Sequence, residues 1–209
     1  MANYKSLIDE YYSNNLKCEN QDKKIIRIHN THQNISNIDL TKKYIQKPYS
    51  FKSNGLWYSL ANTTNTQDDS WIDFWVEGEK MCKMFKHRFE ITLKQDDFVN
   101  FDEPTNSQNK VLRLYEKDVI AFSKKYQETF EADFLENSDT YKHIANNDLF
   151  HFINWKKIEQ EYAGIEFPDY SRCSELRFNS KYIWWNTIDA KTGVIWNLDI
   201  IDKVEKIAN

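Results

Sequence analysis

Two pairs of residues have the side-chain types that bind metal ions. His29 and His32 form an H-x-x-H pair, and Cys82 lies five residues before His87. Zinc sites that are visible in a sequence usually combine two tight ligand pairs, often with CxxC spacing. The two pairs here are mixed in type, distant from each other and unmatched in spacing. The pattern therefore favours a chain without a metal site.

Trp57 and Tyr58 follow Gly55 in a short apolar run that has turn-forming residues on both sides. Such a run predicts a buried strand. Adjacent residues on a strand point to opposite faces, so one of the two aromatic rings must leave the core. Aromatic faces with polar rims suit nucleotide bases and sugars. The sequence thus predicts an aromatic ligand platform beside the polar loop over residues 61–69.

The three cysteines, Cys18, Cys82 and Cys173, are far apart and lack CxxC spacing. An odd number of such cysteines favours reduced thiols inside the cell over a disulfide framework. A nucleophilic role for Cys173 would need a base supplied by the fold, and the order of residues identifies none. A buried free thiol is the favoured interpretation.

Composition predicts one soluble domain over residues 1–209, with residues 1–20 as a peripheral N-terminal helix and link. The chain has 40% hydrophobic and 15% aromatic residues, which is enough to build a core. The net charge of −4 is spread along the chain and gives no support to nucleic-acid binding. No apolar signal segment or membrane-length run is present. We therefore expect a cytoplasmic protein that does not contact a membrane.

Hydrophobic periodicity predicts an α+β fold. Strands are expected over residues 24–31, 53–60, 87–93, 110–114, 174–178, 182–188 and 193–198, with a hairpin turn over 189–193. Helices are expected over residues 4–12, 70–84, 117–134, 154–163 and 199–207, with weaker helical signals over 34–45. Gly164 is expected to end the helix over 154–163. The strands over 87–93 and 110–114 are predicted to be neighbours, and Trp71, Trp75, Trp155 and Trp196 to be core residues.

The segment Ile25-Ile26-Arg27-Ile28-His29-Asn30-Thr31, followed by Gly55-Leu56-Trp57-Tyr58-Ser59, resembles the opening of the ADP-ribosyltransferase fold. In the poly(ADP-ribose)-polymerase-like branch, the first strand ends in His-Gly-Ser/Thr. The second strand has the sequence Gly-Ile-Tyr-Phe-Ala and precedes a serine-bearing loop and helix. The resemblance covers residues 24–85. It implies a single-domain split antiparallel sheet with peripheral helices. We also predict that the strand that carries His29 pairs with strands from the second half of the chain.

The same resemblance implies that NAD is bound as a substrate and that ADP-ribose is transferred to an acceptor that the sequence does not identify. His29 would hold the ribose, Trp57 would stack on nicotinamide and Ser70 would meet the carboxamide. Asn30 stands where the family has glycine, and Trp57 stands where it has tyrosine. The implied cofactor-binding residues are His29, Asn30, Gly55, Trp57, Tyr58, Ser59 and Ser70.

A transferase of this type needs a carboxylate on a late strand to orient the ribose and stabilise the oxocarbenium ion. Glu175 and Asp189 are the candidates, and Glu175 is preferred because glutamate is the usual residue in the family. The predicted catalytic set is therefore His29, Glu175 and Asp189. The alternative function is a non-catalytic module that binds a nucleotide or a peptide in the same aromatic cleft.

Most of the chain is also similar to phage, viral and bacterial proteins of unknown activity. These proteins share a Lys-Pro segment, a Gly-Leu-Trp-x-Ser segment, two downstream tryptophans and a late tryptophan-rich segment. The corresponding parts here are Lys47-Pro48, Gly55 to Ser59, Trp71 with Trp75, and Trp185 to Trp196 with Asp189 and Thr192. This similarity implies a shared fold and adds no activity.

Overall fold

A computed structural model describes residues 25–31, 33, 35–47, 50, 52–62, 87–94, 98–101, 107–128, 152–170, 176, 182, 184–188 and 190–207. The predicted helices over 4–12 and 70–84 lie outside these residues, as does nearly all of the predicted strand over 174–178. Several residues singled out in the sequence also lie outside them: Cys18, His32, Ser70, Trp71, Trp75, Cys82, Cys173, Glu175 and Asp189.

The described residues form a mixed α+β structure built on one eight-stranded sheet. The strands are β1 (Ile25–Thr31), β2 (Leu56–Asn62), β3 (His87–Leu93), β4 (Phe98–Asn100), β5 (Ser107–Arg113), β6 (Gln127–Glu128), β7 (Phe152–Ile153), β8 (Tyr162–Phe167), β9 (Thr192–Ile195) and β10 (Ile201–Ile207). The described residues also form two α-helices, α1 (Val119–Tyr126) and α2 (Trp155–Glu161). Short 3-10 helices cover Glu116–Asp118, Trp185–Thr187 and Leu198–Ile200.

The large sheet has the strand order β10-β3-β1-β2-β9-β8-β5-β4, and β6 and β7 form a separate two-stranded sheet. The pairings from β10 to β8 are antiparallel, whereas β8 with β5 and β5 with β4 are parallel. The predicted α+β class is thus confirmed. The sheet is antiparallel over most of its width.

The two strands that carry the predicted site lie side by side. β1 pairs antiparallel with β2 from Ile25 opposite Asn62 to Ile28 opposite Ser59. On its other side β1 pairs with β3. The predicted pairing of β1 with strands from the second half of the chain is therefore wrong. Strands that are close in the chain are commonly neighbours in a sheet, and β1 lies between β2 and β3. The second half joins through β9, which pairs with β2.

Gly164 does not end a helix. α2 ends at Glu161, and the chain enters β8 at Tyr162. A Cβ atom on Gly164 would lie 2.5 Å from the backbone oxygen of Val194 on β9. Glycine is therefore needed here for the close approach of two strands, and the predicted helix stop is wrong.

The predicted C-terminal helix over 199–207 is also wrong, because these residues form a 3-10 turn followed by β10. Ile201, Val204 and Ile207 have the spacing of a helix face. In the structure β10 pairs with β3 as an edge strand, with a register irregularity between Ile201 and Lys203. Pairing with the sheet therefore overrides a local pattern that favours a helix.

Two further predicted segments differ from the structure. Within residues 182–188, Trp184 and Trp185 are both fully buried and Trp185–Thr187 forms a 3-10 turn, so the predicted strand and the hairpin after it are wrong. Adjacent side chains of a strand with one solvated face cannot both enter the core. Residues 35–47 contain no helix, because the Asp39 carboxylate accepts hydrogen bonds from the backbone and hydroxyl of Thr41 and forms a local turn.

The predicted helix over 117–134 is shorter than expected, and two predicted neighbours are apart. α1 ends at Tyr126, and the chain continues as β6, which pairs with β7. β3 lies between β1 and β10, whereas β5 lies between β8 and β4. The expected contact between β3 and β5 is thus wrong, because β1, β2, β9 and β8 lie between them.

The helices cover an aromatic core on one face of the sheet. Trp155 and Trp196 are buried, as predicted, and only 1% and 5% of their surfaces are exposed. Trp184 packs edge-to-face against Trp155 and Trp185, with ring centres 6.0 and 5.7 Å apart. Edge-to-face packing stabilises aromatic pairs, because the positive edge of one ring lies against the negative face of the other. The other face of the sheet buries mainly aliphatic side chains: Leu56, Leu60, Ile91, Leu93, Val111, Ile195 and Ile201.

A buried carboxylate joins distant strands of the sheet. Glu166 on β8 is fully buried, and its Oε1 accepts from Nε of Arg27 on β1 at 2.8 Å and from the hydroxyl of Tyr58 on β2 at 3.0 Å. Its Oε2 accepts from Nε of Arg113 on β5 at 3.3 Å. Buried ions need such paired hydrogen bonds because desolvation is costly. We call Arg27, Tyr58, Arg113 and Glu166 the Glu166 cluster.

Phe98 shows that the sheet curves strongly around this cluster. β4, which carries Phe98, is separated from β1 by four strands. Cζ of Arg27 nevertheless lies 4.9 Å from the centre of the Phe98 ring, and Cζ of Arg113 lies 3.6 Å from it. A flat sheet would hold β1 and β4 about 24 Å apart at the usual strand spacing. The Glu166 cluster is therefore enclosed by a curved sheet.

We predict that Glu166→Gln lowers the free energy of unfolding by about 3–5 kcal/mol, because it leaves the two guanidinium groups without their buried counter-ion. Urea unfolding measures the change. Glu161→Gln is the matched control. The Glu161 side chain is 41% exposed, pairs with Lys125 at 2.8 Å and accepts from the Tyr126 hydroxyl at 2.7 Å. Glutamine keeps an oxygen that can accept from Tyr126, so the substitution should cost no more than about 1 kcal/mol. Equal losses in the two variants would contradict a structural role for the cluster.

Candidate functional site

A cleft of about 300 Å³ opens where the pairing of β1 and β2 stops. Beyond Ile28 and Ser59, β1 continues against β3 and β2 continues against β9. No backbone hydrogen bonds join the two strands beyond this point, so the cleft between them is lined by side chains. The described residues that line the cleft are Ile28, His29, Asn30, Lys52, Trp57, Tyr58 and Ser59.

His29 bridges the two strands at this point. Its Nδ1 lies 2.7 Å from the backbone oxygen of Trp57. A carbonyl oxygen only accepts, so Nδ1 must carry the proton, and Nε2 of the neutral ring is left as an acceptor. Burial lowers the pKa of His29 below its ordinary value of 6.5, and the hydrogen bond to Trp57 opposes this shift only in part. The ring is therefore neutral at pH 7.

Trp57 and Tyr58 point to opposite sides of β2, as the sequence predicts. Tyr58 is buried, and its hydroxyl donates to Glu166. Burial raises the pKa of Tyr58 well above 10, and the charge of Glu166 adds to this shift. Trp57 is half-buried, and its Nε1 donates to the backbone oxygen of Ser53 at 3.2 Å. Trp57 thus turns to the other side of β2, where its half-buried ring packs against the aromatic core and the hydrogen bond from Nε1 fixes its orientation.

Asn30 and Ser59 place polar atoms on one wall of the cleft. Nδ2 of Asn30 donates to Oγ of Ser59 at 3.4 Å, and Oγ of Ser59 donates to the backbone oxygen of Ile28 at 3.1 Å. Gly55 has a different role. A Cβ atom there would clash with Cγ2 of Val194, so glycine lets β2 start close to β9. The structure therefore brings His29, Asn30, Trp57, Tyr58 and Ser59 to one cleft and places Gly55 in the packing beneath it.

Lys52 is a lining residue that the sequence analysis did not identify. Its Nζ lies 4.3 Å from the centre of the Trp57 ring, within the range of a cation–π interaction. The segment before it is held by Ser50, whose backbone oxygen accepts from Nε1 of Trp155 at 2.9 Å and whose hydroxyl donates to the Lys52 carbonyl at 2.7 Å. These contacts join residues distant in the chain, so no local pattern identifies the position of Lys52.

Gln46 fixes the other end of this wall. Its buried side chain accepts from the backbone nitrogen of Asn54 at 2.9 Å and donates to the backbone oxygen of the same residue. An amide that satisfies both backbone groups of one residue holds the loop in one conformation. The backbone at Asn54, two residues before β2, is therefore held in one conformation.

Glu166 is the second residue that the sequence analysis did not identify. It stands between Ile165 and Phe167 in a strand whose residues are all buried. An acid inside an apolar strand is a signal of a buried ion pair, because an unpaired carboxylate would be too costly there. The sequence contains this signal at Glu166, whereas Glu175 and Asp189, the predicted acids, lie outside the described residues.

No protein family, curated protein or solved structure matches the chain in the three comparisons made. Within the described ranges, no helix is long and apolar enough to cross a membrane. The same ranges contain no group of three or more side chains placed to hold a metal ion, and His32 and Cys82 of the H-x-x-H and Cys–His pairs lie outside them.

We predict that His29 makes the stability of the protein depend on pH. Its pKa is lower in the folded protein than in the unfolded chain, so the unfolded chain binds more protons as the pH falls below 6.5. The contribution of the neutral ring is therefore complete above pH 6.5 and is lost as the pH falls through the lowered pKa. Urea unfolding of the wild type and of His29→Asn at pH 7.5 and 5.5 measures it.

The asparagine variant keeps a donor near the position of Nδ1 but does not titrate. We expect the wild type to lose more stability between the two pH values than the variant does. An identical loss in both proteins would show that His29 is not a buried neutral imidazole.

Proposed function

We propose that the protein binds NAD in the cleft between β1 and β2 and transfers ADP-ribose from it, as an ADP-ribosyltransferase-like protein. The observation that carries the proposal is the 2.7 Å contact between Nδ1 of His29 and the backbone oxygen of Trp57. These residues are 28 positions apart in the chain, and the resemblance assigns them to the same ligand. Their direct contact at an open cleft supports that assignment.

The chemistry of the two side chains suits the nicotinamide riboside part of NAD. Nε2 of a neutral His29 accepts a hydrogen bond from a ribose hydroxyl, because Nδ1 already holds the proton. The half-buried indole of Trp57 offers a fixed aromatic surface on which the nicotinamide ring stacks. Asn30 lies on the same wall, where its Nδ2 donates to Oγ of the buried Ser59. The ladder between β1 and β2 ends at Ile28 and Ser59, which leaves this cleft open between the two strands.

Transfer proceeds by loss of nicotinamide, which leaves a positive charge on the ribose, followed by attack of an acceptor on the anomeric carbon. A carboxylate that faces the ribose stabilises this charge. Glu175 and Asp189 are the proposed carboxylates, with Glu175 preferred. Glu166 is not proposed for this role, because both of its oxygens already accept from Arg27, Tyr58 and Arg113.

A second candidate function is binding of a nucleotide without turnover. The observation that favours it is the set of residues around the cleft, in which the described part of the chain contributes no carboxylate. Such a module would use the same His29 and Trp57 contacts and would lack the acid that the transfer requires. The two candidates differ in transfer and agree in binding.

We predict that Trp57→Ala weakens NAD binding by about 5- to 150-fold, the range expected for loss of one stacked ring. Trp57→Phe should bind NAD more tightly than Trp57→Ala does, because phenylalanine keeps an aromatic surface. Isothermal titration calorimetry measures both affinities. Incubation with labelled NAD and cell lysate tests transfer in the same preparations, and label transfer should be lost in His29→Ala and in Glu175→Gln.

Each outcome of this experiment separates the candidates. Saturable NAD binding without label transfer supports the binding module. If label transfer is lost in Asp189→Asn and unchanged in Glu175→Gln, Asp189 is the catalytic carboxylate in place of Glu175. If the wild type neither binds NAD nor transfers label, the proposal that the cleft binds NAD is wrong.

A further inference from the structure

β10 forms one edge of the eight-stranded sheet. Among the described strands its one neighbour is β3, so no described strand pairs with its outer side. The charged side chains along this strand are all exposed: Asp202, Lys203, Glu205 and Lys206. The backbone groups at the edge of a sheet are a template on which a further strand can pair. The outer side of β10 is therefore a surface suited to another strand.

The sequence of β10 is complementary to itself when it is read in the opposite direction. Val204 is its central residue, with Lys203 on one side and Glu205 on the other. Two copies of the strand can therefore be placed antiparallel about Val204. The resulting pairs join opposite charges or apolar side chains: Lys203 with Glu205, Asp202 with Lys206, Ile201 with Ile207, and Val204 with Val204.

The charges select this register over its neighbours. Opposite residues of two paired strands point to the same face, so a two-fold axis that relates two copies of β10 must pass through a residue. An axis through any of the four charged residues would place two like charges directly opposite each other, which destabilises a sheet. The register irregularity of β10 lies between Ile201 and Lys203 and leaves the central residues in regular pairing with β3. An axis through Val204 is therefore favoured.

The apolar side chains agree with this register. Val204 is partly buried against the aliphatic face of the sheet and lies opposite Ile91 on β3, which is only 2% exposed. Antiparallel pairing about Val204 would place the two valine side chains next to each other. The aliphatic face of one copy would thus continue into that of the other.

The glutamates on the opposite face gain a counter-charge. Glu205 lies opposite Glu90 on β3, and like charges in this position repel. Within one chain Nζ of Lys203 lies 2.7 Å from Oε1 of Glu205, but the two side chains are 59% and 55% exposed, so this pair stabilises little. Pairing of two copies would bring a second lysine beside Glu205.

We propose that the protein forms a two-fold symmetric dimer, in which the β10 strands of two copies pair antiparallel about Val204 and join the two sheets into one. β3 separates β10 from β1 and β2, which carry the cleft, so the dimer does not depend on the proposed ligand. One strand from each copy makes a small interface, and interfaces that bury less than about 1,200 Å² are usually weak. The dimer should therefore dissociate on dilution.

Sedimentation velocity of the full chain from about 5 to 500 μM tests the proposal in the range where a weak interface dissociates. Lys203→Glu and Glu205→Lys should each weaken dimerisation by about 10- to 100-fold, because two symmetric attractive pairs become repulsive. Lys156→Glu is the matched control. It makes the same change of charge at an exposed position on α2 and should dimerise like the wild type.

Two further samples distinguish pairing between copies from an effect within one chain. The double variant with both Lys203→Glu and Glu205→Lys should dimerise like the wild type, because the opposite charges are exchanged and kept. An equal mixture of the two single variants should form heterodimers, although neither variant dimerises well alone. In the mixture one chain has two negative charges at these positions and the other has two positive charges.

Hydrogen exchange of the β10 amides, measured over the same concentrations, should slow as the dimer forms. A wild type that stays monomeric throughout overturns the proposal. So does a dimer that Lys203→Glu leaves unchanged, or a mixture of the single variants that stays monomeric. Complete protection of every β10 amide in the monomer would show that another segment of the chain covers this edge, and would contradict the dimer as well.

Discussion

The buried carboxylate of Glu166 is the interaction on which the rest of the described structure depends. It accepts hydrogen bonds from Arg27, Tyr58 and Arg113, which belong to three different strands. A buried charge is tolerated only when it is paired, so these strands must curve until their side chains meet at one point. The curvature of the sheet and the enclosure of its aliphatic face meet this requirement.

The cluster also determines which aromatic residue is available to a ligand. The hydroxyl of Tyr58 is held by Glu166 inside the core. Because neighbouring residues on a strand point to opposite faces, Trp57 is directed away from that core. The Trp57 carbonyl accepts a hydrogen bond from Nδ1 of His29 at the point where the β1–β2 ladder ends. An ionic contact on one face of the sheet thus sets the geometry of a cleft between two strands.

The sequence predicted the parts that depend on local patterns. The strand predicted over residues 24–31 follows from β-branched residues and is confirmed as β1 over Ile25–Thr31. The opposite orientations of Trp57 and Tyr58 follow from the alternation of side chains along a strand. The predicted helix stop at Gly164 and the predicted helix over 199–207 are wrong, because these residues are placed by close packing against β9 and by pairing with β3. Lys52 was not identified, since its place in the cleft depends on contacts between residues distant in the chain.

A crystal structure of the protein grown with NAD is the most direct test of the central claim, that the cleft binds this nucleotide. The account predicts a nicotinamide ring stacked about 3.5–4 Å from the indole of Trp57, the usual distance between carbon atoms in contact. It also predicts a ribose hydroxyl about 2.7–3.2 Å from Nε2 of His29, the range of a hydrogen bond. NAD bound elsewhere on the protein, with neither contact formed, would contradict the account.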